Sequence, residues 1–245
     1  MSSSGAADAA EVLKKEGWGI TPPSQYLTDM EDDFFHIWEM VKDYTMISVE
    51  RGYSLYKSVQ YVISGGIPGD FVECGVWKGG ACMLMALTLE KLQEKGRKIF
   101  MYDTFSGMTE PTSEDVIAWN GAGVMERWKS NGFSSWAVGV ETVREMVESV
   151  VSDMSPFVFV EGDVEKTLEE MTHQSISLLR LDTDWFASTA KELEVLYPLL
   201  SRGGILQIDD YGHFQGARKA VDEYFQDKPI FLSRIDYTGR QGIKC

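Results

Sequence analysis

A chain of 245 residues with 44% hydrophobic and 12% aromatic content can bury a full core, and it fits one α/β domain with short additions. Its formal charge of -15 argues against nucleic acid or an anionic membrane as partner, because the mean surface field repels phosphate; a neutral or cationic small molecule suits it better. Cys74, Cys82 and Cys245 make an odd count with no CxxC pair, which fits neither a disulfide framework nor a zinc site. No apolar leader opens the chain and no apolar run approaches the roughly 18 residues that suggest a membrane span, so a soluble, cytoplasmic protein is expected.

Residues 1–25 are rich in Ala, Ser and Gly and end in Thr21-Pro22-Pro23, which reads as a mobile tail with one weak helix. A helical extension follows over 26–66: Met30, Phe34, Ile37, Trp38 and Val41 stand at helical spacing within 29–43, and the pattern recurs over 48–64. From there to residue 245 short apolar runs alternate with helical stretches, the signature of a parallel sheet built from βα units. Strands are predicted at 71–74, 99–102, 157–160, 177–181, 204–208 and 230–235, with a last short strand at 241–244 closing a hairpin through Tyr237-Thr238-Gly239. Helices are predicted at 80–95, 140–152, 164–171, 187–200 and 216–226. Residues 104–139 do not fit this scheme. They are polar, carry five glycines and far exceed a normal βα connection, so they read as a lid over the site.

In an open α/β sheet the ligand lies outside the carboxyl ends of the strands, so the residues ending each strand carry the chemistry. The first strand ends in Glu73-Cys74-Gly75-Val76-Trp77-Lys78-Gly79, an ExGxxxG turn rather than the GxGxxG of a pyrophosphate site. The wider turn has room for a sulfonium amino acid, although glycines that only pack helix against strand would look the same. Asp103 ends the second strand, where an acid can accept from both ribose hydroxyls or serve as an ordinary loop acid. Asp163, after the third, can accept from an adenine amino group, cap the helix that follows, or do both. Asp182 and Asp184 follow the fourth strand, and Asp209 and Asp210 the fifth. Two unit charges about 4 Å apart repel by roughly 4 kcal/mol at an effective dielectric near 20, so these acids need protons or a cation. All-oxygen ligands select a hard ion such as magnesium.

The stretches FVECGVWKGG, YDTFSGM, GDVEKTL, LLRLDTDWFAST and IDDYGHFQGARKAVDEYF closely resemble the macrocin-type (TylF/MycF-like) sugar O-methyltransferases, from about Tyr44 to the C-terminus. The resemblance implies a Rossmann-like class I methyltransferase over 67–245, with a mostly parallel seven-stranded sheet flanked by helices. It implies S-adenosylmethionine bound by Glu73, Gly75, Asp103, Ser106 and Asp163, and by Met46 from a stretch that folds over the donor. Mg2+ would sit on Asp182, Asp209 and Asp210, with Asp184 as general base and His213 in a structural role. The acceptor would be a small glycosylated molecule, with neither nucleic acid nor membrane as partner, and the protein is expected to be a homo-oligomer. Trp119, Trp128, Phe133, Trp136 and Trp185 could form an apolar wall for the acceptor or pack in the core. His36 and His173 read as ordinary surface or packing histidines. A catechol-type phenol methyltransferase shares fold, metal and donor, and an idle nucleoside-binding module is the reading from another class. A nicotinamide dehydrogenase is disfavoured by the missing GxGxxG.

Overall fold

The computed structural model describes residues 3–19, 23–170 and 173–245. Thr21-Pro22, at the end of the expected tail, and residue 171, at the end of an expected helix, lie outside them. The chain divides into two compact units, residues 1–35 and 36–245. The first carries α1 (Ser3–Lys15) and α2 (Pro23–Tyr26). The run SSGAADAAEVLKK is rich in the best helix former, and Lys14 and Lys15 in its last turn complement the helix dipole. α3 (Asp32–Val41) spans the unit boundary and leads into the second unit.

That unit opens its main fold with α4 (Val49–Ser64), capped by Ser48, whose hydroxyl accepts from the Arg51 backbone N–H at 3.1 Å. Strands and helices then alternate: β1 (Asp70–Cys74), α5 (Gly80–Lys91), β2 (Ile99–Asp103), the short α6 (Met125–Lys129), α7 (Val140–Val150), β3 (Phe157–Glu161), α8 (Val164–Glu170) and β4 (Ile176–Leu181). α9 (Phe186–Leu196), β5 (Leu200–Ile208), α10 (Gln215–Phe225), β6 (Leu232–Arg234) and β7 (Arg240–Ile243) complete it. The seven strands lie in the order β3-β2-β1-β4-β5-β7-β6, parallel except for the final hairpin, whose β7 pairs antiparallel with both β5 and β6. This is the Rossmann-like, mostly parallel seven-stranded sheet expected from the sequence. Strand order reverses between β1 and β4, and the ends of those two strands define the crevice.

Some boundaries differ from expectation for local reasons. The helix expected over 187–200 ends at Leu196 in a 3-10 turn, Tyr197–Leu199, because Pro198 has no N–H to continue the ladder, and β5 starts at Leu200 rather than 204. The helix expected over 80–95 stops at Lys91, two residues before Gln93 turns left-handed at φ 57°.

The two faces of the sheet differ in chemistry. Cys74, Leu181 and Ile208 are in register across β1, β4 and β5 and belong to an apolar cluster with Leu193 and Leu196 of α9 and Val221 of α10. One position earlier, Glu73, Arg180 and Gln207 stand in register on the opposite face, all buried. Gln207 is satisfied by Gln241 at 2.7 Å and by Ser54 and Ser58 of α4, so α4 shields a polar row as well as apolar neighbours.

Gly75 shows how tightly the crevice is built. Its φ is 82°, and a Cβ there would stand 1.9 Å from the Asp182 carbonyl oxygen. Gly75→Ala is therefore expected to cost about 2–5 kcal/mol from left-handed strain and overpacking together. Gly139→Ala, at a position with nothing within 4 Å and an ordinary φ of -63°, should stay within about 0.5 kcal/mol of the parent. Urea unfolding of the two variants measures the difference, and equal midpoints would contradict this account of the turn.

Candidate active site

A cavity of about 300 Å³ opens at the carboxyl ends of β1, β2, β4 and β5. Three non-glycine residues with left-handed backbones stand at three of these strand ends: Trp77 after β1 (φ 48°), Phe105 after β2 (φ 50°) and Asp184 after β4 (φ 67°). Such conformations cost of order 1–3 kcal/mol each and persist where the surroundings over-determine them. Around Asp103 the determinant is visible. One carboxylate oxygen accepts from the Val76 and Trp77 backbone N–H groups (2.8 and 3.1 Å), and the other from Phe105 N–H (2.7 Å). Asp103 thus ties the turn after β1 to the turn after β2, and a carboxylate so engaged has about one acceptor direction left for a ligand. Burial raises its pKa, against the three N–H bonds.

The other expected donor-site residues fall in different environments. Glu73 and Gly75 line the cavity, and so does Asp163, which also caps α8 by accepting from Glu165 N–H at 3.0 Å. Met46 lies half-exposed with Thr45 and Ile47 on the cavity wall. This segment passes over the start of α5 so closely that a Cβ on Gly80 would meet the Tyr44 carbonyl oxygen at 2.6 Å. Ser106 is exposed and does not contribute to the lining, where its neighbours Thr104 and Gly107 do.

Asp182, Asp209 and Asp210 converge: one carboxylate oxygen from each lies within 4.8 Å of the others. Asp209 and Asp210 are buried and Asp182 half-buried. Burial, reinforced by the neighbouring carboxylates, pushes Asp184 and Asp210 well above the usual carboxylate range. The same causes push Asp209 up to about 6, although Arg180 and Arg51 oppose the shift. Asp210 Oδ2 is buried without a partner. An all-oxygen set, crowded, desolvated and holding an unsatisfied acceptor, fits a hard divalent cation.

Two cations that sequence reasoning passed over organise this floor. Arg180 is buried in β4; its Nη1 donates to Glu73 Oε1 and Asp182 Oδ2, each at 2.6 Å, and its Nη2 to Asp209 Oδ1. Arg51, from the first turn of α4, donates through Nη1 to Asp209 Oδ2 and through Nε to Asp236 Oδ2 at 2.9 Å. Glu73 additionally accepts from Cys82 Sγ at 2.7 Å, and burial pushes its pKa up to about 7. Arg180 left a signal in the sequence, as the single charge within the apolar run ISLLRL. Arg51 left none, since one polar face of an amphipathic helix resembles another.

Trp185 and Phe133 are buried with Val124, Phe214 and Ala217, while Trp128 and Trp136 pack against that cluster. These four are core, and of the five aromatics only Trp136 also reaches the lining. Trp119 is 63% exposed, with its ring edge-on to His213 at 4.9 Å. His213 lines the cavity and its Nδ1 pairs with the Tyr237 hydroxyl at 3.0 Å. Residues 104–139 are fastened to the body at several points. Ala118 N–H donates to the His213 carbonyl and Gln215 N–H to the Val116 carbonyl, while the buried Asp115 accepts from Phe186 N–H at 2.7 Å. His173, away from the cavity lining, packs edge-on to Phe100 and shares a hydrogen bond with the Tyr102 hydroxyl at 2.6 Å.

Residues 37–241 match the family model of the macrocin-O-methyltransferase TylF. A demethyldecarbamoylnovobiocin O-methyltransferase from Streptomyces niveus is 34% identical over 74% of this chain and 67% of its own. A tetracenomycin-C rhamnosyl 4'-O-methyltransferase from Streptomyces olivaceus is 33% identical over 80% of this chain and 74% of its own. Among solved structures the O-methyltransferase NovP superposes with a TM-score of 0.72 at 32% identity, over 82% of each chain. With this match in sequence and fold, the chain belongs to the TylF macrocin-O-methyltransferase family and is an S-adenosylmethionine-dependent O-methyltransferase.

Proposed function

We propose that this enzyme methylates a hydroxyl on a sugar carried by a small natural product, in a magnesium-dependent reaction with Asp184 as general base. The observation that carries this reading is the convergence of Asp182, Asp209 and Asp210 beside a fourth acid, Asp184, held in a left-handed turn at the same cavity wall. The two Streptomyces relatives, whose names give demethyldecarbamoylnovobiocin and a rhamnosyl tetracenomycin as their acceptors, support the acceptor class.

A free sugar hydroxyl is about as weak an acid as water, roughly pKa 15.7, and so is a poor nucleophile. Magnesium held by Asp182, Asp209 and Asp210 would supply the polarisation that lowers this barrier. The remaining work falls to the chain. Glu73, Gly75, Asp103 and Asp163, with Met46 and Ser106 at the periphery, hold S-adenosylmethionine beside the turns after β1, β2 and β3. Asp184 accepts the hydroxyl proton as the new O–C bond forms and the methyl leaves the sulfonium, which departs as the neutral thioether of S-adenosylhomocysteine. Residues 104–139, with Trp136 in the lining, enclose the acceptor and keep water from the reacting atoms.

Chelation is expected to abolish methyl transfer while S-adenosylhomocysteine still binds in a calorimeter, with magnesium restoring turnover; full activity after exhaustive chelation would remove the metal from this reading. NAD should bind more weakly than S-adenosylhomocysteine, and equal binding would sink the donor assignment. The two acids of the turn after β4 should separate by role. Asp184→Asn keeps shape and left-handed tolerance and should retain magnesium and donor affinity, but lose turnover by ~10²- to 10⁴-fold. Asp182→Asn should weaken magnesium binding and recover in part at high magnesium. Metal titrations and saturated rates for both variants test this division, and a wild-type rate in Asp184→Asn would move the base elsewhere.

A further inference from the structure

Of the three converging acids, Asp209 alone has both oxygens on guanidinium groups, Oδ1 on Arg180 and Oδ2 on Arg51. Asp182 has one oxygen so engaged, and Asp210 keeps a buried oxygen with no partner. The two arginines are held differently. Arg180 is fixed among Glu73, Asp182 and Asp209 in the middle of the sheet. Arg51 lies at the cavity wall with its side chain 11% exposed, and among the described residues its other side-chain anchor is Asp236.

Asp236 is itself full. Its Oδ1 accepts from the Thr238 and Gly239 backbone N–H groups (2.9 and 2.7 Å), and its Oδ2 from Ser48 Oγ (2.8 Å) and Arg51 Nε. Those four bonds fix Asp236 in the hairpin turn, and its pKa is lowered by the donors and by Arg51 against the effect of burial. Gly239 leaves room for the arginine stem, since a Cβ there would stand 2.9 Å from Arg51 Cδ. Arg51 therefore has a permanent partner in Asp236 and a second one, Asp209, that a divalent cation would also claim. A cation on Asp209 would be repelled by a guanidinium on the same carboxylate, and the repulsion is strong where burial limits screening.

We infer that Arg51 is a positioning residue that acts as the resident counter-charge of the metal site: it competes with the cation for Asp209 Oδ2, and so sets how tightly the metal is held. The inference rests on the magnesium reading above. It makes the site a deliberately loose one, in which the arginine neutralises Asp209 until the cation replaces it and then remains paired with Asp236.

The test is a calorimetric titration of wild type, Arg51→Gln and Arg51→Lys with magnesium chloride, alongside S-adenosylhomocysteine titrations to show that the crevice is intact. Arg51→Gln should bind magnesium about tenfold more tightly than wild type, because the competing charge is gone. Arg51→Lys, which keeps the charge, should stay within about threefold of wild type, and S-adenosylhomocysteine affinity should change by no more than about threefold in either. An arginine with a merely structural role would give unchanged or weaker magnesium binding on removal, and that result in a variant that still binds S-adenosylhomocysteine overturns the inference. If Arg51→Gln does not fold, side-chain nitrogen NMR of wild type decides: magnesium should shift the Arg51 signal, and an unmoved signal overturns the competition. Wild-type binding without any gain in Arg51→Gln defeats only this inference, whereas absence of magnesium binding in all three proteins defeats it together with the metal reading.

Discussion

The arrangement of this molecule depends on one buried guanidinium. Arg180 sits inside a parallel sheet, where a charge without partners would cost several kcal/mol, and it is satisfied by acids from three adjacent strands or strand ends: Glu73 of β1, Asp182 after β4 and Asp209 after β5. The register of β1, β4 and β5 is thereby tied to the chemistry at their ends. A slip of one residue would carry Arg180 to the opposite face, into the cluster of Leu193, Leu196 and Val221, and would leave three carboxylates uncompensated. The guanidinium also spans two territories, joining the acid of the ExGxxxG turn to acids of the converging set.

From that anchor outward the site is held by fixed hydrogen bonds more than by packing. Asp103 fastens two strand-end turns, Asp236 fastens the hairpin turn to the start of α4, and Asp115 fastens residues 104–139 to the start of α9. Each uses a carboxylate to gather backbone N–H groups that would otherwise be orphaned at the ends of elements. The left-handed backbones of Trp77, Phe105 and Asp184 persist within this frame.

Much of this was legible in the sequence, because a parallel sheet writes its strands as short apolar runs and places its functional residues directly after them. The five parallel strands, and the acids at or just past their ends, could be found that way, and the last strand through the turn Tyr237-Thr238-Gly239. What the sequence concealed is the division of labour among those acids. The Asp103 carboxylate is largely taken up by backbone N–H groups, and Asp163 serves as a cap while facing the cavity. Ser106 points to a site by its motif but lies exposed outside the lining. Long-range partners were also hidden: Arg51 and Asp236 are separated by most of the chain, and neither stands in a pattern that advertises a buried pair. Pro198 could have set the end of α9 correctly, since a proline inside a helical pattern is visible without a structure.

The position of β7 has a consequence for how the chain matures. β5 supplies the strand that Asp209 and Asp210 follow, yet its free edge is covered by β7, which comes later in sequence and inserts between β5 and β6. During synthesis, the order in which segments emerge leaves that edge exposed, with unpaired backbone groups, after the rest of the sheet can already have formed. Asp236, in the turn just before β7, emerges in the same interval. Until the hairpin docks, the nascent enzyme therefore holds the strand end that carries Asp209 and Asp210 open and without one of its restraints.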